Sequence, residues 1–239
     1  AGFEGLGAGN FRAAVEERGW SVHRVVEHPE ARFGKSYLTG KHGRRILWSV
    51  GGIGAPYAFG HATLLSLVGG VKAVVFQGSA GGIGESVRSY DINVPTQAVC
   101  GAWTRKGWKP GLKPMATDSA LTGRLIPALS SELRCSRRRV HSGSHYTIGH
   151  YFLETAAILN RLRESGVLTI DLEFAVYLDV LGAVGIPTAG VLRASDLPLK
   201  GIAYHDSLER KGVAEEDARE IKQGILAALL TALEQDTGG

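Results

Sequence analysis

Cysteine and methionine are scarce in this chain of 239 residues, which contains two cysteines and one methionine. Small secreted domains depend on several paired cysteines, and Cys100 and Cys135 are too few to supply such a framework. Free thiols are normal in a reducing compartment. We therefore expect two chemically inert thiols and a cytoplasmic protein.

Long apolar runs are also missing. No stretch approaches the roughly 18 consecutive apolar residues of a membrane-spanning helix, and no charged segment followed by an apolar one marks a secretory leader. We therefore predict no membrane partner. With 44% hydrophobic residues, the composition is that of a globular protein. A chain of this length fits one domain over residues 1–239.

Charge of either sign is limited, and the formal net charge is +4 at pH 7. Basic residues cluster in 103–113, where Trp103 and Trp108 alternate with lysine and arginine, and again at 137–139. Such a mixture can bind nucleic acid through phosphate contacts and base stacking. So modest a charge fits better with a solvated loop and a basic strand edge that attract an anionic substrate. We predict no nucleic-acid partner.

Helical and strand patterns alternate along the chain without a linker, an internal repeat or a low-complexity segment. This alternation is typical of a largely parallel sheet flanked by helices. The predicted helices cover 10–19, 56–67, 119–133, 153–165, 173–182 and 215–233. The predicted strands cover 22–26, 36–39, 45–50, 73–76, 94–100, 138–142, 167–170 and 187–194.

Acidic residues stand at the ends of two predicted buried strands. Asp171 and Glu173 follow the strand at 167–170, and Asp196 follows the strand at 187–194. Open α/β sheets bind ligands at the carboxyl ends of their strands, and a carboxylate beside so apolar a segment is costly without a partner. These residues are therefore candidates for a functional site. The alternative is local, with Glu173 capping the next helix and Asp196 starting a turn.

Two glycine-rich turns follow predicted strands, at 51–54 and at 78–82. The first resembles the start of a dinucleotide fingerprint. However, Tyr57 stands at the third glycine position, and Gln77 ends the next strand where an acidic residue would hold a ribose. We predict no nicotinamide cofactor. The second turn sets Ser79 among glycines whose backbone N–H groups can approach an anion.

The turn around Ser79 lacks both the lysine of a nucleotide phosphate-binding loop and the Gly-x-Ser-x-Gly spacing of a serine-hydrolase elbow. Triphosphate binding and a nucleophilic serine are therefore disfavoured. The alternative for both glycine-rich turns is tight packing between a strand and a helix, since glycine allows close approach of the backbone.

Three histidines close in sequence, His141, His145 and His150, raise the alternative of a metal site. Zinc sites also draw on cysteine or carboxylate ligands, and Glu154 is the one such residue beside these histidines. Histidines spread over a strand and a loop need not converge. We therefore expect them to be hydrogen bonded or exposed, and we predict no metal.

Three segments, read together, resemble the nucleoside phosphorylase–nucleosidase superfamily. They are GGIGAPYAFGHATLLSLVGGVKAVVFQGSAGGIGESV, IDLEFA and RASDLPL, and the likeness covers roughly residues 8–233. The superfamily includes purine nucleoside phosphorylases, uridine phosphorylase, methylthioadenosine nucleosidase and the catalytic part of AMP nucleosidase. The resemblance implies a single-domain, three-layer α/β sandwich whose central mixed, partly barrel-like sheet is flanked by helices. It also implies a dimer-based homo-oligomer, expected to be a hexamer, with active sites at subunit interfaces.

The resemblance also implies roles for the acidic residues. Glu173 matches the glutamate that holds the ribose 2′- and 3′-hydroxyls, and Asp171 stands beside it where a glutamate is usual. Asp196 matches the acid that protonates the purine as the base departs. The residues implied to surround the base are Tyr151, Phe152 and Gly81.

A phosphate site is implied by the likeness to the phosphorylases. Arg12 matches their first phosphate arginine, and Arg32 matches the arginine lent by a neighbouring subunit. Ser79 matches a hydroxyl near the phosphate or near the acid that protonates the base. Phe76 and Gln77, however, occupy the place of a further arginine. The sequence GSAGG resembles the methylthioadenosine nucleosidases, which use water. SDLPLKG resembles a stretch of AMP nucleosidase, which leaves a phosphorylated nucleoside open as the substrate.

These features favour a purine nucleoside phosphorylase, which uses inorganic phosphate as co-substrate and no cofactor to release a purine base and ribose 1-phosphate. Cleavage builds positive charge on the sugar and negative charge on the base. A carboxylate at the sugar hydroxyls and an acid at the base match that chemistry. Two alternatives stay open: a nucleosidase acting on methylthioadenosine, adenosine or AMP-type substrates, and a non-catalytic nucleoside-binding relative.

Overall fold

The computed structural model describes residues 7–27, 35–102 and 112–235. Arg32 and the basic segment 103–111 lie outside the described residues. Both cysteines are free, with Cys100 partly buried and Cys135 exposed. Within the described ranges, no helix is long and apolar enough to cross a membrane.

The helices and strands alternate much as the sequence pattern predicts. The helices are α1 (Gly7–Glu16), α2 (Ala55–Leu67), α3 (Ser119–Glu132), α4 (Ala156–Glu164), α5 (Phe174–Gly182) and α6 (Glu215–Glu234). The strands are β1 (Ser21–Glu27), β2 (Lys35–Lys41), β3 (Arg44–Trp48), β4 (Val74–Gly82), β5 (Ile92–Asn93), β6 (Gln97–Gly101), β7 (Met115–Ala116), β8 (Val140–His141), β9 (Ser144–Ile148), β10 (Val167–Asp171) and β11 (Thr188–Asp196). Two 3₁₀ segments are Tyr151–Leu153 and Pro198–Lys200.

The central sheet is mixed, in the order β7-β6-β9-β10-β4-β11-β5-β8. Its parallel neighbours are β6/β9, β9/β10, β4/β11 and β5/β8, and its antiparallel neighbours are β6/β7, β4/β10 and β5/β11. The antiparallel pairs correct the largely parallel sheet predicted from alternation alone. The mixed sheet implied by the family resemblance is confirmed.

Helices cover both faces of this sheet. On one face, α3 and α6 pack over β5 and β11 through a cluster that includes Val191 and Ile225. On the other face, α5 packs over the sheet through Phe174 and Leu192, and α2 packs against α5. Val191 and Leu192 are neighbours that face opposite layers, because side chains alternate along a strand. The three-layer α/β sandwich is therefore confirmed.

A second, smaller sheet lies apart from the first. The strands β1, β2 and β3 form an antiparallel sheet, and they pack with α1 and α6 around the buried side chains of Phe11, Val15, Trp20, Tyr37, Leu226 and Leu230. The sequence pattern predicted these strands, but it did not reveal that they pair only with one another. The chain after β3 enters the Gly51–Gly54 segment and then α2, which brings it to the central sheet.

The glycine-rich segment 78–82 is a strand, so the predicted turn is wrong. It forms the second half of β4, where β11 pairs with residues 78–81 and β10 pairs with Gly81 and Gly82, so both strands supply backbone hydrogen-bond partners. The glycines are required because neighbours fill the space of a side chain. A Cβ on Gly78 would lie 2.6 Å from the Phe76 ring, and one on Gly82 would lie 2.7 Å from Val87.

Candidate active site

Three strands converge at Gly81. β10 and β4 approach from opposite directions and overlap at their carboxyl ends, where Ile170 pairs with Gly81. β11 runs parallel to β4, and Asp196 at its end also pairs with Gly81. Asp171 ends β10, and Glu173 lies just before α5. The structure therefore brings the predicted acidic residues to one region by an antiparallel overlap of strand ends.

Asp196 has one oxygen bound by the protein and the other beside a position without a side chain. Ser195 Oγ donates a 2.8 Å hydrogen bond to Oδ1, and a Cβ on Gly81 would lie 3.3 Å from Oδ2. Burial raises the pKa of Asp196 above its usual value, against the opposing effects of the Ser195 hydrogen bond and the charge of Lys211. A carboxyl group of raised pKa is suited to donating a proton to a bound group.

Glu173 stands at the N-cap position of α5, but its side chain makes no capping hydrogen bond. The local alternative, in which Glu173 caps the helix, is therefore wrong. Instead, Oε1 accepts a 2.5 Å hydrogen bond from the Gly54 N–H, and Oε2 accepts one of 3.2 Å from the Leu172 N–H. Burial and then the charge of Asp171 raise the pKa of Glu173 to about 7, although both hydrogen bonds oppose the increase.

Asp171 is enclosed by donors from the protein itself. Its Oδ1 accepts hydrogen bonds from His145 Nε2 at 2.8 Å and from Thr147 Oγ1 at 2.6 Å. Its Oδ2 accepts one of 2.8 Å from the Phe174 N–H, so Asp171 caps the start of α5. The residue is 5% exposed. Binding of ribose by Asp171 stays a prediction, and its observed contacts are internal.

Arg193 on β11 is a candidate site residue that the sequence pattern did not single out. Its side chain is buried, its Nη2 donates a 3.0 Å hydrogen bond to Ser79 Oγ, and its guanidinium lies 4.7 Å from the centre of the Tyr90 ring. Its Nε is buried without a hydrogen-bond partner. Burial lowers the pKa of Arg193, but a guanidinium remains charged. The one sequence feature that could have identified Arg193 as a candidate is its position three residues before Asp196.

Of the two predicted phosphate arginines, only Arg12 lies within the described residues. Arg12 lies on the exposed side of α1 and forms a 4.0 Å ion pair with Glu16, one helical turn away. Arg32 lies outside the described residues. Arg193 is the arginine that the structure shows in contact with Ser79. Phosphate binding by Arg12 and Arg32 stays a prediction.

The predicted base-stacking aromatics follow β9 and are exposed. Tyr151 is 56% and Phe152 73% exposed, and their ring centres are 4.1 Å apart. Nearby Glu154 is partly buried, and burial, Asp196 and Asp171 together raise its pKa to about 7. The sequence pattern treated Glu154 only as a neighbour of histidines, whereas the structure places it within electrostatic reach of the acidic site.

The histidines bind protein groups. His141 Nε2 lies 2.8 Å from Asp91 Oδ2, His145 Nε2 contacts Asp171, and His150 Nδ1 accepts a hydrogen bond from the Phe152 N–H. These contacts agree with the interpretation of hydrogen-bonded or exposed histidines. Across the ranges that the structure describes, no group of three or more His, Cys, Asp or Glu residues is arranged to hold a metal ion.

Solved structures of similar fold extend across most of this chain. A futalosine hydrolase mutant of Helicobacter pylori strain 26695 has a TM-score of 0.68 and 15% identity over 94% of each chain. The 5′-methylthioadenosine/S-adenosylhomocysteine nucleosidase of Campylobacter jejuni has a TM-score of 0.68 and 16% identity over 90% of this chain and 92% of that chain. The corresponding enzyme of Neisseria meningitidis, in complex with methylthio-immucillin-A, has a TM-score of 0.66 and 18% identity over 92% and 95%.

At such low identity, these likenesses establish a shared fold. A comparison with curated proteins finds no significant sequence match. The model of the phosphorylase superfamily, in contrast, matches residues 6–231. Because this match spans nearly the whole sequence, the chain belongs to the phosphorylase superfamily.

Proposed function

We propose that this protein cleaves the N-glycosidic bond of a purine nucleoside, with Asp196 as the acid and Glu173 as the acceptor for the ribose hydroxyls. The observation that carries the proposal is the convergence of strand ends at Gly81. There, a carboxyl group of raised pKa lies beside a position that has no side chain. A buried group with a perturbed pKa in such a place is a candidate for catalysis.

The proposed reaction moves one proton and one electron pair at the base. The pair that joined the base to C1′ leaves with the base, and Asp196 donates its proton to a ring nitrogen of the purine. Such assistance is worth roughly 10²–10⁴-fold in rate. Glu173 accepts hydrogen bonds from the sugar hydroxyls, and these strengthen as positive charge develops on the sugar. An oxygen nucleophile then bonds to C1′. When it is water, its extra proton passes to solvent, and Asp196 regains a proton from solvent for the next turnover. No electrons are exchanged with an outside carrier, so no cofactor is required.

We take water as that nucleophile, in place of the phosphate favoured by the sequence pattern. Phe76 and Gln77 occupy the position of a phosphorylase arginine, and Arg12 is paired with Glu16 at the surface. Structures of similar fold are described as nucleosidases and as a futalosine hydrolase, names that denote hydrolysis. The proposed products are a free purine base and a free sugar.

Phosphorolysis is the second candidate, and Arg193 is the observation that favours it. Among the described residues, no carboxylate forms an ion pair with this buried guanidinium, whose one observed side-chain acceptor is the neutral Ser79 hydroxyl. A phosphate beside Ser79 would supply the missing negative charge and acceptors for the guanidinium.

Product analysis separates these candidates. The protein is incubated with adenosine, inosine, guanosine or methylthioadenosine, with and without inorganic phosphate, and the sugar product is identified by mass spectrometry. Base release at the same rate without phosphate, giving free sugar, supports hydrolysis. Release that requires phosphate and gives ribose 1-phosphate overturns hydrolysis in favour of phosphorolysis. Binding of a nucleoside without any base release contradicts both and leaves the non-catalytic alternative.

We also propose that a second copy of the chain covers α2. This helix and the residues around it expose several large apolar side chains, namely Ile53, Tyr57, Phe59, Leu64, Leu67 and Val68. Exposed apolar surface of this kind marks interfaces. The segment before α2 contacts Glu173 through Gly54, so a subunit bound here would lie beside the acidic site.

Light scattering on the purified protein tests this interface. We expect an oligomer for the wild-type chain and monomers for the double variant Leu64→Glu/Leu67→Glu, because two charges cannot be buried against an apolar partner. Glu132→Lys, a charge change on α3, serves as a control that should not alter the mass. A wild-type monomer with full activity would contradict the proposed interface.

A further inference from the structure

A chain of hydrogen bonds joins three elements next to the acidic site. Ser49 Oγ lies 2.7 Å from His61 Nε2, and His61 Nδ1 lies 2.7 Å from Tyr177 Oη. Ser49 follows β3 and is exposed, His61 is on α2, and Tyr177 is buried on α5. The His61 and Tyr177 rings are nearly perpendicular, at 85°. This Ser49–His61–Tyr177 chain therefore ties the segment after β3 to both helices.

The backbone of the Gly51–Gly54 segment lies directly against this chain of hydrogen bonds. A Cβ on Gly51 would stand 2.7 Å from Tyr177 Oη and 3.3 Å from His61 Nδ1. A side chain at this position would therefore displace either the segment or the Tyr177 hydroxyl. The close approach means that the position of the backbone at Gly51 depends on where His61 and Tyr177 lie.

The other end of the same segment binds Glu173. The Gly54 N–H donates the 2.5 Å hydrogen bond to Glu173 Oε1, and Gly54 has a φ of 93°, in the region that favours glycine. The direction of a backbone N–H bond is fixed only when the backbone on both sides of it has a fixed conformation. α2 holds the chain after Gly54, and the Ser49–His61–Tyr177 chain holds the backbone before it.

We infer that His61 is a positioning residue, which holds the Gly51–Gly54 segment through Ser49 and Tyr177 so that the Gly54 N–H orients Glu173 toward the ribose hydroxyls. This inference rests on the proposed function, because it takes Glu173 as the sugar acceptor. His61 acts at a distance from the reacting atoms. Its partner Tyr177 lies on α5, one helical turn after the N-cap residue Glu173. The same helix therefore carries Tyr177, which contacts His61, and is preceded by Glu173, which contacts Gly54.

The charges around Glu173 make this positioning measurable. Burial and Asp171 raise the pKa of Glu173, whereas the hydrogen bonds from Gly54 and Leu172 lower it. Tyr177 is neutral, since burial and then Glu173 raise the pKa of its hydroxyl. Loss of the Gly54 hydrogen bond would destabilise the ionised Glu173 and raise its pKa further. The acidic limb of kcat/KM for a riboside, which requires ionised Glu173, should then move to higher pH.

Variants that cut the Ser49–His61–Tyr177 chain test the inference. Tyr177→Phe removes one hydroxyl, and His61→Leu removes both hydrogen bonds. We expect each to lower the preference for a riboside over its 2′-deoxyriboside roughly three- to tenfold, the effect of one misplaced hydrogen bond, and to shift the acidic limb to higher pH. His61→Gln should keep more of the preference than His61→Leu, because an amide can bond to both neighbours.

Thr63→Ala is the matched control on α2, since the Thr63 hydroxyl bonds only to the Phe59 carbonyl of the same helix in the structure. It should change neither readout. Ser49→Ala, at an exposed position, keeps the test valid if a buried variant does not fold, as judged by circular dichroism.

Two different failures can be told apart. If Glu173→Gln removes the riboside preference but the Tyr177, His61 and Ser49 variants leave both the preference and the acidic limb unchanged, the positioning role of His61 is wrong and the proposed function stands. If Glu173→Gln itself leaves riboside cleavage unaltered, the assignment of Glu173 to the sugar fails, and the proposed function fails with it.

Discussion

Two aspartates end two strands of the central sheet, and the protein surrounds them differently. At the end of β10, Asp171 accepts hydrogen bonds from two side chains and one backbone N–H. At the end of β11, Asp196 accepts one hydrogen bond from Ser195, and burial raises its pKa. Glu173 belongs with Asp196, since its two backbone hydrogen bonds leave its pKa at about 7.

The contrast shows that position at a strand end does not by itself make a carboxylate functional. A carboxylate that receives several internal hydrogen bonds stabilises the fold, because its oxygens are paired when folded. A buried carboxylate with fewer donors lowers stability and retains oxygens for a ligand. On this basis we propose that Asp171 supports the site and that Asp196 and Glu173 act in it.

The largest expected effect is on Asp196. Asp196→Asn should lower turnover of natural purine nucleosides by roughly 10²–10⁴-fold, because the amide cannot donate the proton that the base needs. A riboside whose leaving group needs no proton, such as a 4-nitrophenyl riboside, should lose much less. Asp179→Asn, on the exposed side of α5, is the control. Equal losses on both substrates would make Asp196 a structural residue.

At Asp171, in contrast, we expect substitution to lower mainly the stability of the fold. Asp171→Ala leaves His145, Thr147 and the Phe174 N–H without their acceptor, and should lower the free energy of unfolding by about 3 kcal/mol. Urea denaturation measures the change. The contrast between the two strand ends is wrong if Asp196→Ala destabilises the protein as much as Asp171→Ala does, because both aspartates would then be structural.

Removing the charge of Glu173 should raise the free energy of unfolding, by less than the loss of Asp171 lowers it. The pKa of Glu173 is about 7 in the folded protein, compared with 4.5 for an unperturbed glutamate, as in the unfolded chain. The folded state therefore favours the protonated form. The resulting stabilisation is complete below pH 4.5 and is lost as the pH rises through about 7. Glu173→Gln, which cannot ionise, should therefore be more stable than the wild type at pH 8, on the order of 1–2 kcal/mol after solvent screening.

Thermal unfolding at several pH values measures this difference. The stabilising effect of Glu173→Gln should shrink as the pH falls toward the usual pKa of a glutamate. A variant that is less stable than the wild type at pH 8 would show that the hydrogen bonds from Gly54 and Leu172 outweigh burial, and that Glu173 resembles Asp171 after all.

The smallest effect is expected at Arg12. Its exposed pair with Glu16 is worth about 0.3 kcal/mol, so Arg12→Ala should hardly change stability. If water is the nucleophile, Arg12→Ala should also change kcat/KM by less than roughly twofold, since hydrolysis needs no phosphate-binding arginine. A large increase in the KM for phosphate would instead show that Arg12 reaches a site in the oligomer and would favour phosphorolysis.

Strands and helices were predictable where apolar runs are long. The α5 segment, β10 and β11 begin and end within a few residues of the predictions, because a buried strand ends where polar residues appear. β9 was missed, since its sequence SHYTI buries His145 and Thr147 and so has no apolar alternation. Pro95 lies inside the predicted strand 94–100 and interrupts it, because proline has no backbone N–H to donate. The structure therefore has two strands here: β5 ends at Asn93, and β6 begins at Gln97.

Sequence alone placed Asp171, Glu173 and Asp196 at the ends of buried strands, because the change from apolar to polar residues along the chain marks those ends. It did not reveal which carboxylate is paired inside the protein. Asp171 receives its bond from His145, 26 residues away, and Glu173 receives one from Gly54, 119 residues away. Hydrogen bonding and burial depend on distances that only the folded chain sets, so the tertiary structure decided which of these carboxylates receives the most internal hydrogen bonds.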